Sequence, residues 1–347
     1  NQFGLYFRKW SVDAGLFKEN ATPSRNEVLI YANSMQRCIA TANYFTTALF
    51  PVADVHVNHR FVPSKMDPVF FPQLTKSSKS FRAQAMKEIT AMGGKKGIIG
   101  INEGLKESYE ITAKVLDLKD SPACKEKNLC AFDNYNTQLI LDKGDEPRMK
   151  GSLKDATTCS DALILQFYEE PDAKKAAFGH DITLDDWTKI SKIKDVYGDV
   201  LFTAPVVAVN VAHPLLVYMR DELMDKDRKL AFLCGHDSNI ASVTAALEVE
   251  PYDLPNSIEK KTPIGCKLVI EKFEGKDGQM YCAINLTYQS TDQLRNIAML
   301  SLKNPPQIFP LSLKGLQKNA DGLYLLKDVE GRFMKAIRAY DKIEDKF

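Results

Sequence analysis

The sequence predicts an α/β protein with a mainly parallel sheet core flanked by helices and a largely helical cap inserted into it. Three observations carry this. Two apolar runs of strand length, 27–31 and 229–234, each pass through a short polar turn into a helical pattern, the βα unit of a parallel sheet. The stretch of roughly 61–199 holds helical patterns at 79–92, 103–117, 155–169 and 184–194, joined by polar loops with Pro and Gly. Residues 266–273 and 280–287 read as a hairpin around Gly275-Lys-Asp-Gly278. The core is therefore assigned to 1–60 and 200–347, and the cap to 61–199.

Taken in order, Glu27-Val-Leu-Ile-Tyr31 is the first core strand, and Asn33 and Ser34 read as caps for a helix over Met35–Leu49 with Arg37 in its first turn. Residues 52–57 suggest a short strand, on which His56 and His59 would face opposite sides. Gly93-Gly-Lys-Lys-Gly-Ile-Ile-Gly100 mimics a phosphate-cradling loop, but no strand leads into it and no Gly-Lys-Ser/Thr follows, so it reads as a flexible loop between cap helices. Thr183-Leu-Asp-Asp186 is a capping box for the helix over 184–194. His213, before Pro214 near the start of a long helix, reads as structural. Lys229-Leu-Ala-Phe-Leu-Cys234 is the second core strand. It meets Gly235, His236 and Asp237 without a spacer, and Ser238 and Asn239 follow as caps before Ile240–Leu247.

That second junction holds the most informative chemistry. A strand entering a helix through a Gly turn brings a cationic donor, an acid and free backbone N–H groups to a helix N-terminus, where anions are favoured. His236 can bind phosphate oxygens there, and Asp237 can give a proton to a departing alkoxide; the plainer reading of Asp237 is a helix cap. The first junction presents Arg37, whose guanidinium fork matches phosphate. In an open parallel sheet both junctions lie along the edge where ligands bind. Gly179-His180-Asp181 repeats the tripeptide, but it follows no strand and precedes the capping box, so His180 is not expected to be catalytic.

With 347 residues, 44% of them hydrophobic, the chain can bury an ample core. A net charge of +1 without a basic stripe argues against nucleic acid as a partner, and no apolar segment approaches membrane-spanning length. Scattered histidines and the lack of ligand spacings argue against a metal, and no cofactor is expected. Among seven cysteines, Cys124 and Cys130 sit in one loop and read as a local disulfide rather than a zinc site, which implies an oxidising compartment. Pairing 273 with 280 puts Cys266 opposite Thr287 and Cys282 opposite Glu271, roughly 16 Å apart and beyond bridging range. Cys38, Cys159 and Cys234 read as small buried hydrophobes.

These residues carry a resemblance. Tyr31-Ala-Asn-Ser-Met-Gln-Arg37, Met66-Asp-Pro68, the Lys119–Lys127 segment with Cys130, and Gln166-Phe-Tyr-Glu169 are similar to text of the histidine acid phosphatases. So are Gly235-His-Asp-Ser-Asn-Ile-Ala-Ser242, Thr262-Pro-Ile-Gly265, Tyr288-Gln-Ser290 and Gln293-Leu-Arg-Asn296, and within the family the chain most resembles the bacterial periplasmic glucose-1-phosphatases. The resemblance implies a phosphoglycerate mutase-like core, with Arg37 and His236 as phosphate ligands, Asp237 as the proton donor, and Tyr168 and Glu169 at the substrate pocket. It also implies a nucleophilic histidine in an Arg-His motif. The chain has no Arg-His pair, and Phe3–Trp10 looks like the middle of the family's first long helix, so the nucleophile is expected upstream of Asn1.

The expected activity is hydrolysis of sugar or inositol phosphates through a phosphohistidine, with inorganic phosphate as product and an acidic optimum. A periplasmic or secreted location is expected, and a homodimer stays open. Two other classes stay open as well: a phosphate or sugar-phosphate-binding protein without a nucleophile, and a phosphotransferase or mutase on the same fold.

Overall fold

A computed structural model describes residues 1–345 apart from 63 and 136. The chain begins with helix α1 (Gln2–Asp13), strand β1 (Val28–Ala32), helix α2 (Gln36–Leu49) and strand β2 (Val57–Asn58). Helices α3 (Lys79–Ala91), α4 (Ile98–Glu103), α5 (Lys106–Val115) and α6 (Pro122–Lys127) follow, then the small strands β3 (Gln138–Ile140) and β4 (Arg148–Lys150). Next come α7 (Ser152–Glu169), α8 (Ala173–Ala176), α9 (Leu184–Phe202) and α10 (Pro205–Met224). The last part holds β5 (Leu230–Cys234), α11 (Asp237–Ala246), β6 (Lys267–Glu274), β7 (Met280–Tyr288), α12 (Thr291–Arg295), β8 (Gln307–Pro310), β9 (Tyr324–Leu325) and α13 (Leu326–Asp341).

The parallel sheet has the order β2-β1-β5, and β1 lies in its middle, buried on both faces. Strand alternation sorts its side chains. Val28, Ile30 and Ala32 pack with Phe3, Tyr6, Cys38, Ala42 and Phe45 beneath α1 and α2. Leu29 and Tyr31 face the opposite cluster, built on α10, α11 and α13. That cluster also receives Cys282, Ile284, Leu286 and Tyr288 from alternate positions of β7, the centre of the antiparallel sheet β6-β7-β8 with β9. His213 stacks flat on Tyr340 of α13, with ring centroids 3.7 Å apart.

Residues 61–199 hold α3–α8, the β3–β4 hairpin and most of α9, and supply most of two apolar clusters, one completed by Val207 and Val211 of α10 and the other by Ile258. Residue 199 lies inside α9. That helix opens on the expected capping box, with Asp186 N–H donating to Thr183 Oγ1 at 3.1 Å and Thr183 N–H to Asp186 Oδ2 at 2.8 Å. It runs eight residues past 194, because Val200, Leu201 and Phe202 continue its buried face, and then bends 85° into α10 at Pro205. Among the described residues no single helix is long and apolar enough to cross a membrane.

Three local expectations are corrected. The strand expected over 52–57 is only Val57–Asn58, since the chain turns at 51–53; His56 and His59 flank it, both exposed. The glycine stretch 93–100 is not a loose loop but a 3-10 turn leading into α4. Gly93 and Gly100 sit so close to backbone there that neither position has room for a Cβ. The hairpin pairs Glu274 with Met280 rather than 273 with 280, which sets Lys272 opposite Cys282. Its loop is one residue tighter because Gly275 N–H donates to Gln279 O at 2.7 Å and Asp277 Oδ1 accepts from Gln279 N–H at 3.0 Å. Cys266 and Cys282 are free thiols, as the longer-loop register also required.

Candidate active site

Strands β1 and β5 run parallel with Ala32 opposite Cys234, so they end at one level and α2 and α11 start side by side. Gly235 follows β5 because nothing larger fits: a Cβ there would stand 2.8 Å from the Phe70 ring. His236, in extended backbone, is the N-cap of α11. Its N–H donates to Asn239 Oδ1 at 2.9 Å, and Asn239 Nδ2 donates to the Phe70 carbonyl at 2.8 Å, which pins the helix entry. Asp237 is therefore the first helical residue and not the cap. Its Oδ1 accepts from Ser238 N–H at 2.9 Å.

The first junction is tied from the side. The N-cap of α2 is Met35, whose side chain makes no capping hydrogen bond. Asn33 and Ser34, predicted as caps, are buried and point elsewhere. Ser34 Oγ accepts from Phe61 N–H at 3.0 Å, and Asn33 Oδ1 accepts from Asp67 N–H at 2.9 Å. Asp67 is fixed in turn by the Tyr31 hydroxyl, which donates to its Oδ2 at 2.6 Å. Asn33 Nδ2 lies 2.7 Å from His236 Nε2, and Arg37 Nη2 lies 3.2 Å from His236 Nδ1.

These contacts determine what the pair can bind. Because Asn33 Oδ1 is committed to the Asp67 N–H, its amide nitrogen is the group facing Nε2, and it donates. A neutral imidazole accepting at Nε2 carries its proton on Nδ1. Nδ1–H then faces the Arg37 guanidinium, donor against donor. Neither has an acceptor in the other, and an anion with oxygens between them satisfies both. Asp237 stands one residue from His236 at the same helix start.

Arg37, His236 and Asp237 line a cleft of about 1650 Å³, whose other wall brings Glu146, Asp161 and Lys194 from the inserted elements. Burial raises the half-buried Glu146 carboxyl above the ordinary range; Asp161 is raised in the same direction by its place in the cleft wall although its side chain is 55% exposed, and the nearby Asp237 charge adds to both. Burial alone would lower the Lys194 ammonium, but Glu259, Asp237 and Asp161 outweigh it and hold it above the usual lysine value, so it stays charged.

Other expected residues lie elsewhere. Tyr168 and Glu169 do not line this cleft: the Tyr168 hydroxyl donates to Glu259 at 3.2 Å, and Glu169 is the exposed last residue of α7. His180 pairs with Asp117 at 3.1 Å on the far connection between α8 and α9. Cys124 and Cys130 form a disulfide. Cys38 and Cys234 are buried as expected, yet not inert. The neighbouring Cys234 side chain pulls the Cys38 thiol below its ordinary value. Sequence reasoning missed Asn33 as a partner of His236, and it missed Lys194 and Glu259. Lys194 did leave a signal, one turn after the buried Ile190 on the apolar face of α9.

The family model of the histidine phosphatase superfamily (branch 2) matches residues 1–292. The chain is 37% identical to a glucose-1-phosphatase of Providencia rettgeri over 340 residues, covering 96% of this chain and 80% of that protein. It is 39% identical to the glucose-1-phosphatase of Salmonella typhimurium over 324 residues, covering 92% and 76%. Among solved structures, the apo phytase of Hafnia alvei superposes with a TM-score of 0.87 at 25% identity, covering 98% of this chain and 86% of that one. The same phytase in complex with myo-inositol hexakis sulphate superposes with a TM-score of 0.86, covering 97% and 84%.

Proposed function

The chain belongs to branch 2 of the histidine phosphatase superfamily, and from that premise we propose that it is an acid phosphomonoesterase of sugar phosphates, glucose 1-phosphate foremost, with inositol phosphates second. The relatives that support this are named glucose-1-phosphatases and phytases. The observation that carries it is the meeting of Arg37 and His236, 3.2 Å apart at the starts of two neighbouring helices, in a cleft that Asp237 also lines.

In this reading Arg37 and His236 Nδ1–H hold the phosphoryl oxygens and stabilise the charge that develops on them. A histidine nucleophile forms an N–P bond as the ester O–P bond breaks. Asp237 gives its proton to the leaving oxygen. Water then attacks phosphorus as the N–P bond breaks and frees the histidine, the water's proton goes to Asp237, and inorganic phosphate leaves. The helical elements of 61–199 act as a cap closing over the substrate. The Cys124–Cys130 disulfide supports a periplasmic or secreted location.

The test is phosphate release from glucose 1-phosphate by the full natural protein. His236→Ala abolishes most of it while the fold persists, and His180→Ala leaves it nearly unchanged. Equal losses in both variants would sink this choice of site.

A further inference from the structure

We propose that Lys194 and Glu259 are a positioning pair for Asp237, fixing its orientation and holding a partly compensated positive charge against the carboxyl oxygen that donates the proton. This rests on the reading of Asp237 as proton donor.

Lys194 Nζ lies 2.9 Å from Glu259 Oε1 and 3.6 Å from Asp237 Oδ2, with Asp161 Oδ1 at 4.0 Å. The Glu259 side chain is fully buried and that of Lys194 only 16% exposed. Both oxygens of Glu259 are committed, since Oε2 accepts from Ile264 N–H at 3.0 Å and from the Tyr168 hydroxyl at 3.2 Å. The ammonium is thereby anchored from behind. Asp237 Oδ1 is held by Ser238 N–H, which leaves Oδ2 turned to Lys194. A buried ion pair adds little net stability, because desolvating the charges offsets their attraction. Its place against the acid of the site is what distinguishes it.

The titratable and charged groups around Asp237 come from every side: Lys194 on α9, Asp161 on α7, Glu146 beside β4, the neutral Cys266 thiol before β6, its neighbour His236, and Arg37 on α2 next to that ring. Lys194 is the cation in ion-pair range of Asp237 Oδ2, and Glu259 partly neutralises it. A proton donor works only while protonated, so activity falls as pH rises through its titration. A nearby cation favours the ionised carboxylate and brings that fall to lower pH. Removing the Lys194 charge moves the falling limb up. Removing the Glu259 charge leaves Lys194 uncompensated and moves it down. A pair that serves only the fold cannot move the limb in opposite directions.

The experiment compares Lys194→Met and Glu259→Gln in the full natural protein, following kcat and KM against pH for glucose 1-phosphate and for an aryl phosphate. In Lys194→Met the alkaline limb rises by roughly half a pH unit or more. Its kcat on glucose 1-phosphate falls about tenfold, within the contribution of general acid catalysis, while KM and the aryl phosphate rate hold. In Glu259→Gln the limb moves down. Limbs that stay put or move together overturn the proposal. So does weaker inhibition by inorganic phosphate in Lys194→Met, which would make Lys194 a phosphate ligand. If Lys194→Met does not fold, the direction in Glu259→Gln decides alone. A wild-type enzyme inactive on glucose 1-phosphate would instead remove the functional reading beneath.

Discussion

Asn33→Asp probes the tautomer of His236 with little change of shape. Aspartate keeps an acceptor for the Asp67 N–H, now 2.9 Å from Asn33 Oδ1, so the junction stays tied. It replaces the amide donor 2.7 Å from Nε2 with a carboxylate, which draws a proton onto Nε2. In acid the ring is then an imidazolium and Nδ1 still donates. At higher pH the ring is neutral with its proton on Nε2, and Nδ1 becomes a bare acceptor facing phosphate. One hydrogen bond to a charged group is lost, about 1.5–3 kcal/mol. At 1.4 kcal/mol per decade this is roughly a 10- to 150-fold weaker affinity. The assay is competitive inhibition by inorganic phosphate, expressed as the variant-to-wild-type ratio of inhibition constants at each pH, which cancels the ionisation of phosphate itself. The ratio should climb by that factor from the acid to the alkaline end. A flat ratio would refute the assignment of the Nδ1–H tautomer.

Asp237→Asn should slow sugar phosphates by about 10²–10⁴ while an activated aryl phosphate loses far less in single-turnover measurements, because only the poor leaving group needs the proton. Equal losses would leave Asp237 a structural residue of the first turn. Glu169→Ala should leave the ratio of activity on inositol polyphosphates to monophosphates unchanged, since that side chain is exposed at the end of α7 and lines no part of the cleft. A ratio shifted towards polyphosphates would return Glu169 to the substrate pocket.

What was legible in the sequence is what strand–turn–helix periodicity encodes locally. Arg37, His236 and Asp237 meet because each sits at the start of a helix that follows a parallel strand, and that pattern is visible within a dozen residues. The role of Asn33 was not. An asparagine before a helix reads as a cap, whereas here its amide reaches a ring 203 residues away, a contact that exists only once β1 and β5 pair. Lys194 and Glu259 were hidden for the same reason, being 65 residues apart on a helix and a loop. The hairpin register slipped by one because Gly275-Lys-Asp-Gly278 fits a loop of five residues or one of six that also takes in Glu274. The hydrogen bond from Gly275 to Gln279 decides between them.

The central claim is that Arg37 and His236 form one oxyanion site. The measurement that tests it most directly is a crystal structure of the protein with tungstate, a heavy phosphate analogue located by its anomalous signal. The account predicts a tungsten peak with oxygens in hydrogen-bonding reach of both Arg37 and His236 Nδ1, beside Asp237. A peak at Gly179-His180-Asp181 with none between Arg37 and His236 would contradict it.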